Sequence, residues 1–196
     1  MSFAKTVPFI LIALLFIQCN ENKTNKNLLN APENWRGEVI EFPLEFAPSL
    51  QYSGIEYVRF APGWGKEGNL DYFSYVFAWD LYNDPQLSTG KLESDIETYF
   101  DGLMSVVSGE NQNSVPSFSR SKAFFEKVND SVYIGKVLTH DAFTSKKAVS
   151  LNILVNYSFC KQQNNHFVVF MISPQGPEHQ IWKTLKKINL EQDCLN

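Results

Sequence analysis

Cysteine and histidine are scarce in this chain, three of each among 196 residues, and their positions exclude several chemistries at once. Cys19, Cys160 and Cys194 form no CxxC pair, so neither a thioredoxin-type centre nor a zinc ribbon is supported. His140, His166 and His179 lack the short spacings that bring ligands to one metal ion, and no metal or cofactor is expected. The chain has no GxSxG elbow, no HExxH, no phosphate-binding loop and no dinucleotide fingerprint. Positive charge is also short. Lys and Arg number 17 against 21 Asp and Glu, a net charge of −4, which argues against nucleic acid or an anionic lipid surface as partner. There is no internal repeat, and the one biased tract is the Asn- and Lys-rich stretch after Cys19.

One long apolar run is present, from Val7 to Ile17, behind the cationic start Met1-Ser2-Phe3-Ala4-Lys5. As a helix it reaches about 16 Å of a roughly 30 Å hydrocarbon layer, so it reads as a signal-peptide core and not as a membrane span. Phe16-Ile17-Gln18-Cys19 follows and resembles the bacterial lipobox, although all three residues before Cys19 are bulkier than that pattern prefers. The expectation is a signal peptide over 1–18, a lipid (palmitate-bearing) on Cys19, a polar tether over 19–34 and a single domain over 35–196. Acylation of Cys19 would leave Cys160 and Cys194 as a pair in an oxidising compartment. A disulfide between them would be worth about 3–4 kcal/mol in the chain-entropy model.

Within the domain, Pro43 and Pro48 among Phe42, Leu44 and Phe46 suit an extended lead-in at a sheet edge. Strands are expected over Ile55–Ala61 and Tyr72–Tyr82, the second placing Phe73, Tyr75, Phe77, Trp79 and Leu81 on one face. A helix follows, capped by Ser88 or Thr89, with Leu92, Ile96, Phe100, Leu103 and Val107 at helical spacing and Gly109 as its stop. Its other side carries Glu93, Asp95, Glu97 and Asp101, of which the run Glu93, Glu97 and Asp101 at four-residue spacing reads as a solvated face in preference to a cation or carboxylate site. Strands return over Phe118–Val128, Val132–His140, Ala148–Phe159 and Phe167–Ser173, with short turns that imply antiparallel hairpins. A last helix begins at Pro177 and places Ile181, Trp182, Leu185 and Ile188 together. The fold class is therefore α+β: a mostly antiparallel sheet of about six strands with two amphipathic helices, in the order ββ-α-ββββ-α.

The segments Phe46-Ala47-Pro48-Ser49-Leu50, Arg59-Phe60-Ala61-Pro62-Gly63 and Ile172-Ser173-Pro174, with Ile181-Trp182 beyond, resemble a group of bacterial envelope proteins without an assigned activity. The resemblance spans most of residues 40–190 and implies location, not chemistry. In the order of its elements the chain is also similar to PsbP-like domains, most of which are non-catalytic accessory proteins.

Two candidate sites emerge from the residues themselves. His140-Asp141 is the one adjacent acid–base pair, but neighbours on a strand point to opposite faces, so a structural histidine is the better reading. Trp64, between Gly63 and Gly65 in a Gly-rich loop, could anchor an envelope protein or glycan partner, or fold back as a lid on the sheet edge. The Asp130-Ser131-Val132 triplet resembles an O-glycosylation acceptor of some exported bacterial proteins, a pattern too short to weigh. The functional expectation is a lipid-anchored, non-catalytic binding module of the bacterial envelope, at the outer membrane and facing the periplasm or the surface. An apolar-ligand carrier with a cavity between helix and sheet comes second, and a hydrolase third.

Overall fold

A computed structural model describes residues 26–109 and 118–191. Cys19, Cys194 and the signal-peptide segment lie outside the described residues.

Nine strands and two helices are present among the described residues: β1 (Leu29–Asn30), β2 (Arg36–Glu41), β3 (Gly54–Phe60), β4 (Tyr75–Leu81), α1 (Thr89–Val107), β5 (Lys122–Asn129), β6 (Val132–His140), β7 (Ala148–Cys160), β8 (Asn165–Ser173), α2 (Ile181–Leu185) and β9 (Asn189–Leu190). Seven form one antiparallel sheet in the order β2-β3-β4-β8-β7-β6-β5, and β1 pairs with β9 in a second, two-stranded sheet. The α+β class holds, with seven strands in the main sheet where about six were expected. The additional strand is β2, which the prolines on its C-terminal side had marked only as an edge lead-in. Two meanders, β2-β3-β4 and β5-β6-β7-β8, meet at the β4–β8 pair. The helix α1 carries the chain from the sheet centre to its far edge.

Every residue of β4 is buried, because both faces of the central sheet are covered. On the inner face Tyr75, Phe77, Trp79 and Leu81 join Phe170 and the Leu92–Ile96–Phe100 side of α1 in the larger core. On the outer face Val76 and Ala78 pack with Tyr57, Met171 and the α2 residues Trp182 and Leu185. Stacked rings extend the inner core, Phe77 lying 4.4 Å from Phe170 and 4.9 Å from Tyr99. Offset and edge contacts of this kind add to area burial.

Helix α1 begins and ends as its sequence signals. Ser88 Oγ accepts the Lys91 N–H at 3.2 Å, and Gly109 follows the helix with φ of 71°, the left-handed conformation that glycine adopts without a Cβ clash.

The acidic face of α1 is not a solvated face. Glu93 Oε1 accepts the Phe125 N–H at 3.0 Å, Glu97 Oε1 the Ala123 N–H at 3.0 Å, and Asp101 Oδ1 the Ser121 N–H at 2.6 Å. Four residues of helix rise about 6.0 Å, and two residues of strand advance about 6.6–6.8 Å. Carboxylates at four-residue spacing therefore meet alternate backbone donors of an edge strand almost in step. Asp95, on the opposite flank, is 3% exposed, accepting from Tyr52 Oη at 2.5 Å and from Lys91 Nζ at 2.5 Å.

The polar segment expected as a tether over 19–34 folds in its last part. Leu29 is fully buried in the outer core, its N–H donates to Asn27 Oδ1, and Asn27 Nδ2 donates to the Val58 and Glu38 carbonyls. Leu28-Leu29 is a short apolar pair within a polar run, and it was outweighed by that surrounding composition. The last helix is shorter than expected, only Ile181–Leu185, although Ile188 beyond it is still buried. The strands expected from Tyr72 and Phe118 begin later, at Tyr75 and Lys122. Phe159, expected inward, is 39% exposed near the end of β7.

Candidate functional site

The loop between β3 and β4 is held by local bonds that the sequence makes specific. Asp71 Oδ2 accepts the Gly63 N–H at 2.9 Å, and the Phe73 N–H reaches the Trp64 carbonyl at 3.0 Å. A Cβ on residue 63 would lie 2.0 Å from Asp71 Oδ1, so Gly63 serves the close approach of that carboxylate and not flexibility. Phe73, 1% exposed, sits at φ of 48°, a conformation rare for a bulky residue and retained only where packing over-determines it.

These constraints turn Trp64 inward. Its ring lies 4.8 Å from Phe143, 4.9 Å from Phe60 and 5.6 Å from Phe73, packed against the inner core. The anchor reading needed an exposed indole. Trp64 is instead a half-buried lid, because the loop curls back across the sheet edge and Phe143 meets it from the loop after β6.

Beneath the lid is a cavity of about 320 Å³, bounded by both layers of the fold. Strand β2 contributes Arg36, Glu38 and Ile40, and β3 contributes Glu56, Val58 and Phe60, all at paired register positions. Helix α1 closes the floor with Tyr99 and Leu103, and Tyr75 of β4 stands beside them. The volume falls within the range of small-molecule sites, and the lining is aromatic with few polar groups, as such sites usually are.

Three of those polar groups matter. Glu56 is fully buried, with Trp79 Nε1 donating to Oε2 at 2.7 Å and Tyr99 Oη donating to Oε1 at 3.2 Å. Burial pushes its carboxyl up to about 8, against the pull of those two donors and with a further rise from the charge of Glu38. At neutral pH the cavity floor is therefore mostly uncharged. At the mouth the Arg36 guanidinium lies 4.7 Å over the Phe60 ring and 5.9 Å from the Trp64 ring, 3.8 Å from Glu38 Oε1. Trp64 Nε1 is buried and has no hydrogen-bond partner, the sole such side-chain nitrogen or oxygen among the described residues. Such an orphan donor is uncommon in folded proteins and calls for an explanation.

The His140-Asp141 pair does not form a site. The His140 ring stacks on Phe118 at 4.6 Å. Asp141 is fully buried and spends its oxygens on the N–H groups of Phe143, Thr144 and Ser145 and on the Tyr72 hydroxyl, closing the loop after β6. Cys160 ends β7 at 1% exposure, and its proposed partner Cys194 lies outside the described residues. No three His, Cys, Asp or Glu side chains gather to hold a metal among the described residues, and no described helix is long and apolar enough to cross a membrane.

A larger hollow, about 710 Å³, opens on the outer face beside α2, where Phe124 and Ile134 are about half exposed among Glu126 and Lys136. It is a groove on an uncovered half-sheet whose Glu126 and Lys136 are themselves exposed to solvent, whereas the cavity is lined by a fully buried carboxyl, Glu56. Sequence reasoning named Trp64 but missed Glu56, Arg36 and Tyr99. Glu56 and Arg36 each sit in a short strand at positions that alternate with residues of the other face, a period-two signal that carries no hint of chemistry. Compared with protein-family models, curated proteins and solved structures, the chain matches none.

Proposed function

We propose that this domain is a non-catalytic binding module that takes a small, largely apolar ligand into the cavity beneath Trp64. The observation that carries the reading is the cavity itself, about 320 Å³ between sheet and helix, walled by Phe60, Phe73, Tyr75, Tyr99, Phe143 and the Trp64 ring. Those rings would cover an apolar body. The exhausted hydrogen bonds of Asp141 give a hydrolytic reading no free carboxylate to work with at that pair. The Val7–Ile17 run followed by Cys19 supports an envelope location with a lipid on Cys19. From Cys19 to Lys26, where the described residues begin, the chain reaches at most about 25 Å when fully extended. The domain would therefore work close to its membrane.

A second reading, docking of an envelope protein, draws on the uncovered outer half-sheet with Phe124, Ile134 and Leu138 each about half exposed.

The test of the first reading is titration with the neutral apolar fluorophore N-phenyl-1-naphthylamine. We expect saturable binding to the wild type and at least tenfold weaker binding to Val58→Phe, which fills the cavity from β3. Absence of saturable binding, or equal binding by a Val58→Phe variant that keeps its fold by circular dichroism, rejects the reading.

A further inference from the structure

The outer core under α2 takes residues from β3, β4 and β8 and none from β5 or β6, whose outward side chains stay uncovered. In the ladder Phe124 stands beside Lys136 and Glu126 beside Ile134, so these four outward side chains make a two-by-two cell. Its apolar corners, Phe124 and Ile134, share one diagonal and are 54% and 46% exposed. Its charged corners, Glu126 and Lys136, share the other diagonal, are exposed, and make no ion pair with any described residue. Their neighbours Lys122 and Lys127, by contrast, are held by Glu97 and Asp130.

The arrangement of these charges selects an occupant. A partner face of one sign would set a like charge against one corner, and a wholly apolar face would strip water from both corners without pairing either. A second copy turned by a two-fold axis along the Phe124–Ile134 diagonal does neither. It lays Phe124 on Phe124 and Ile134 on Ile134 of the other copy, sets Lys136 against Glu126, and sets Glu126 against Lys136. This is the reciprocal pattern of an isologous interface. With cell sides of about 4.8 Å between strands and about 6.7 Å along them, the strands of the two copies cross at roughly 70°, close to the orthogonal class of stacked sheets.

We infer that the outer half-sheet over β5 and β6 pairs face to face with the same half-sheet of a second copy of this chain. The apolar corners hold the pair, and two Glu126–Lys136 contacts between copies align it. The inference rests on the second reading above, that this half-sheet docks a protein, and names that protein as another copy. A face of this extent stands at the small end of specific interfaces, so monomer and dimer should exchange.

The experiment is sedimentation of the exported full chain carrying Cys19→Ala, so that no lipid gathers the copies, at rising concentration. We expect a reversible dimer whose dissociation constant rises at least tenfold in Ile134→Asp, which puts a charge on the apolar diagonal. Glu126→Lys and Lys136→Glu, both at exposed positions, should each weaken self-association about tenfold, because each sets like charges face to face. An equimolar mixture of those two variants should form a mixed dimer about as tight as the wild type, since every facing pair is then opposite in sign. Contacts confined to one chain could not be rescued by mixing. A wild type that stays monomeric overturns the inference and leaves the half-sheet to a different protein. A dimer indifferent to Ile134→Asp, or a mixture no tighter than its components, overturns the inference as well. The docking reading itself falls separately, if Ile134→Asp leaves crosslinking of the chain to other envelope proteins unchanged.

Discussion

The Glu97 carboxylate accepts the backbone N–H of Ala123 at 3.0 Å, joining the middle of α1 to the exposed edge of the sheet. With Glu93 on the Phe125 N–H and Asp101 on the Ser121 N–H just before β5, it occupies alternate donors along the sheet edge, a row that left open is a template for pairing with another chain. We expect Glu97→Ala to cost about 1 kcal/mol by urea unfolding, since a hydrogen bond to a charged group contributes about 1.5–3 kcal/mol when well shielded and this one is partly solvated. The triple change of Glu93, Glu97 and Asp101 to Ala should promote concentration-dependent association and speed amide exchange at 121, 123 and 125. A triple variant that associates no more than the wild type, with unchanged protection at those amides, would show that the ladder does not guard the edge.

Acid should loosen the same seam. Partial burial raises the Glu97 carboxyl, but the Lys122 ammonium and the Ala123 N–H outweigh it and hold it below the usual carboxylate range. Its stabilising contribution is present above the unfolded value of 4.5 and is lost as pH falls through the lower folded value. Unfolding midpoints taken from pH 6 down to pH 3 should fall less steeply in Glu97→Gln than in the wild type.

Glu56 should act in the opposite sense. Its folded carboxyl stays protonated up to about 8, whereas in the unfolded chain it ionises near 4.5, so the native state binds more protons between those values. Stability contributed at this site therefore falls as pH rises through that window, by at most about 1.4 kcal/mol per unit. Glu56→Gln retains an acceptor for Trp79 and removes the ionisation, so its melting temperature should hold nearly level from pH 5 to pH 8 where the wild type declines. Parallel declines in the two proteins would exclude Glu56 as the source.

For Trp64, replacement by Ala should cost about 3 kcal/mol of stability, the loss of a packed aromatic side chain with its cavity. Trp64→Phe should cost less than about 1.5 kcal/mol, because the indole N–H has no hydrogen bond to lose. Near-neutral stability of Trp64→Ala in urea would return the residue to the role of an exposed anchor.

The cysteines divide into two expectations for the exported protein. Cys19→Ala should release it from membranes, and mass spectrometry of the wild type should find acyl mass on Cys19. Alkylation without reduction should leave Cys160 and Cys194 unmodified if they are bridged, their Cα atoms then lying within about 7 Å. Recovery of both as alkylated thiols excludes the bridge.

Much of the sheet was legible because its signals are local. The alternation in β7 and the helical spacing of Leu92, Ile96 and Phe100 each report burial along one element. The cavity and the carboxylate ladder were not, because each exists only between elements. Glu93, Glu97 and Asp101 at four-residue spacing describe an exposed helix face until an edge strand with matching donor spacing is laid beside it. Trp64 between two glycines looked unguarded for a similar reason, since Phe143, which meets it, lies far along the chain. Leu28-Leu29 was hidden by its polar neighbours, and only its pairing partner on the far side of the sequence explains its burial.

That pairing has a further consequence. Leu29 and Leu190 are direct partners in an antiparallel ladder, so two positions 161 residues apart in sequence are neighbours across about 5 Å. The folded circuit between β1 and β9 is nearly a closed ring. A domain permuted to begin in the exposed 161–163 turn, with a short linker from the residue after β9 to the residue before β1, should close the same sheet.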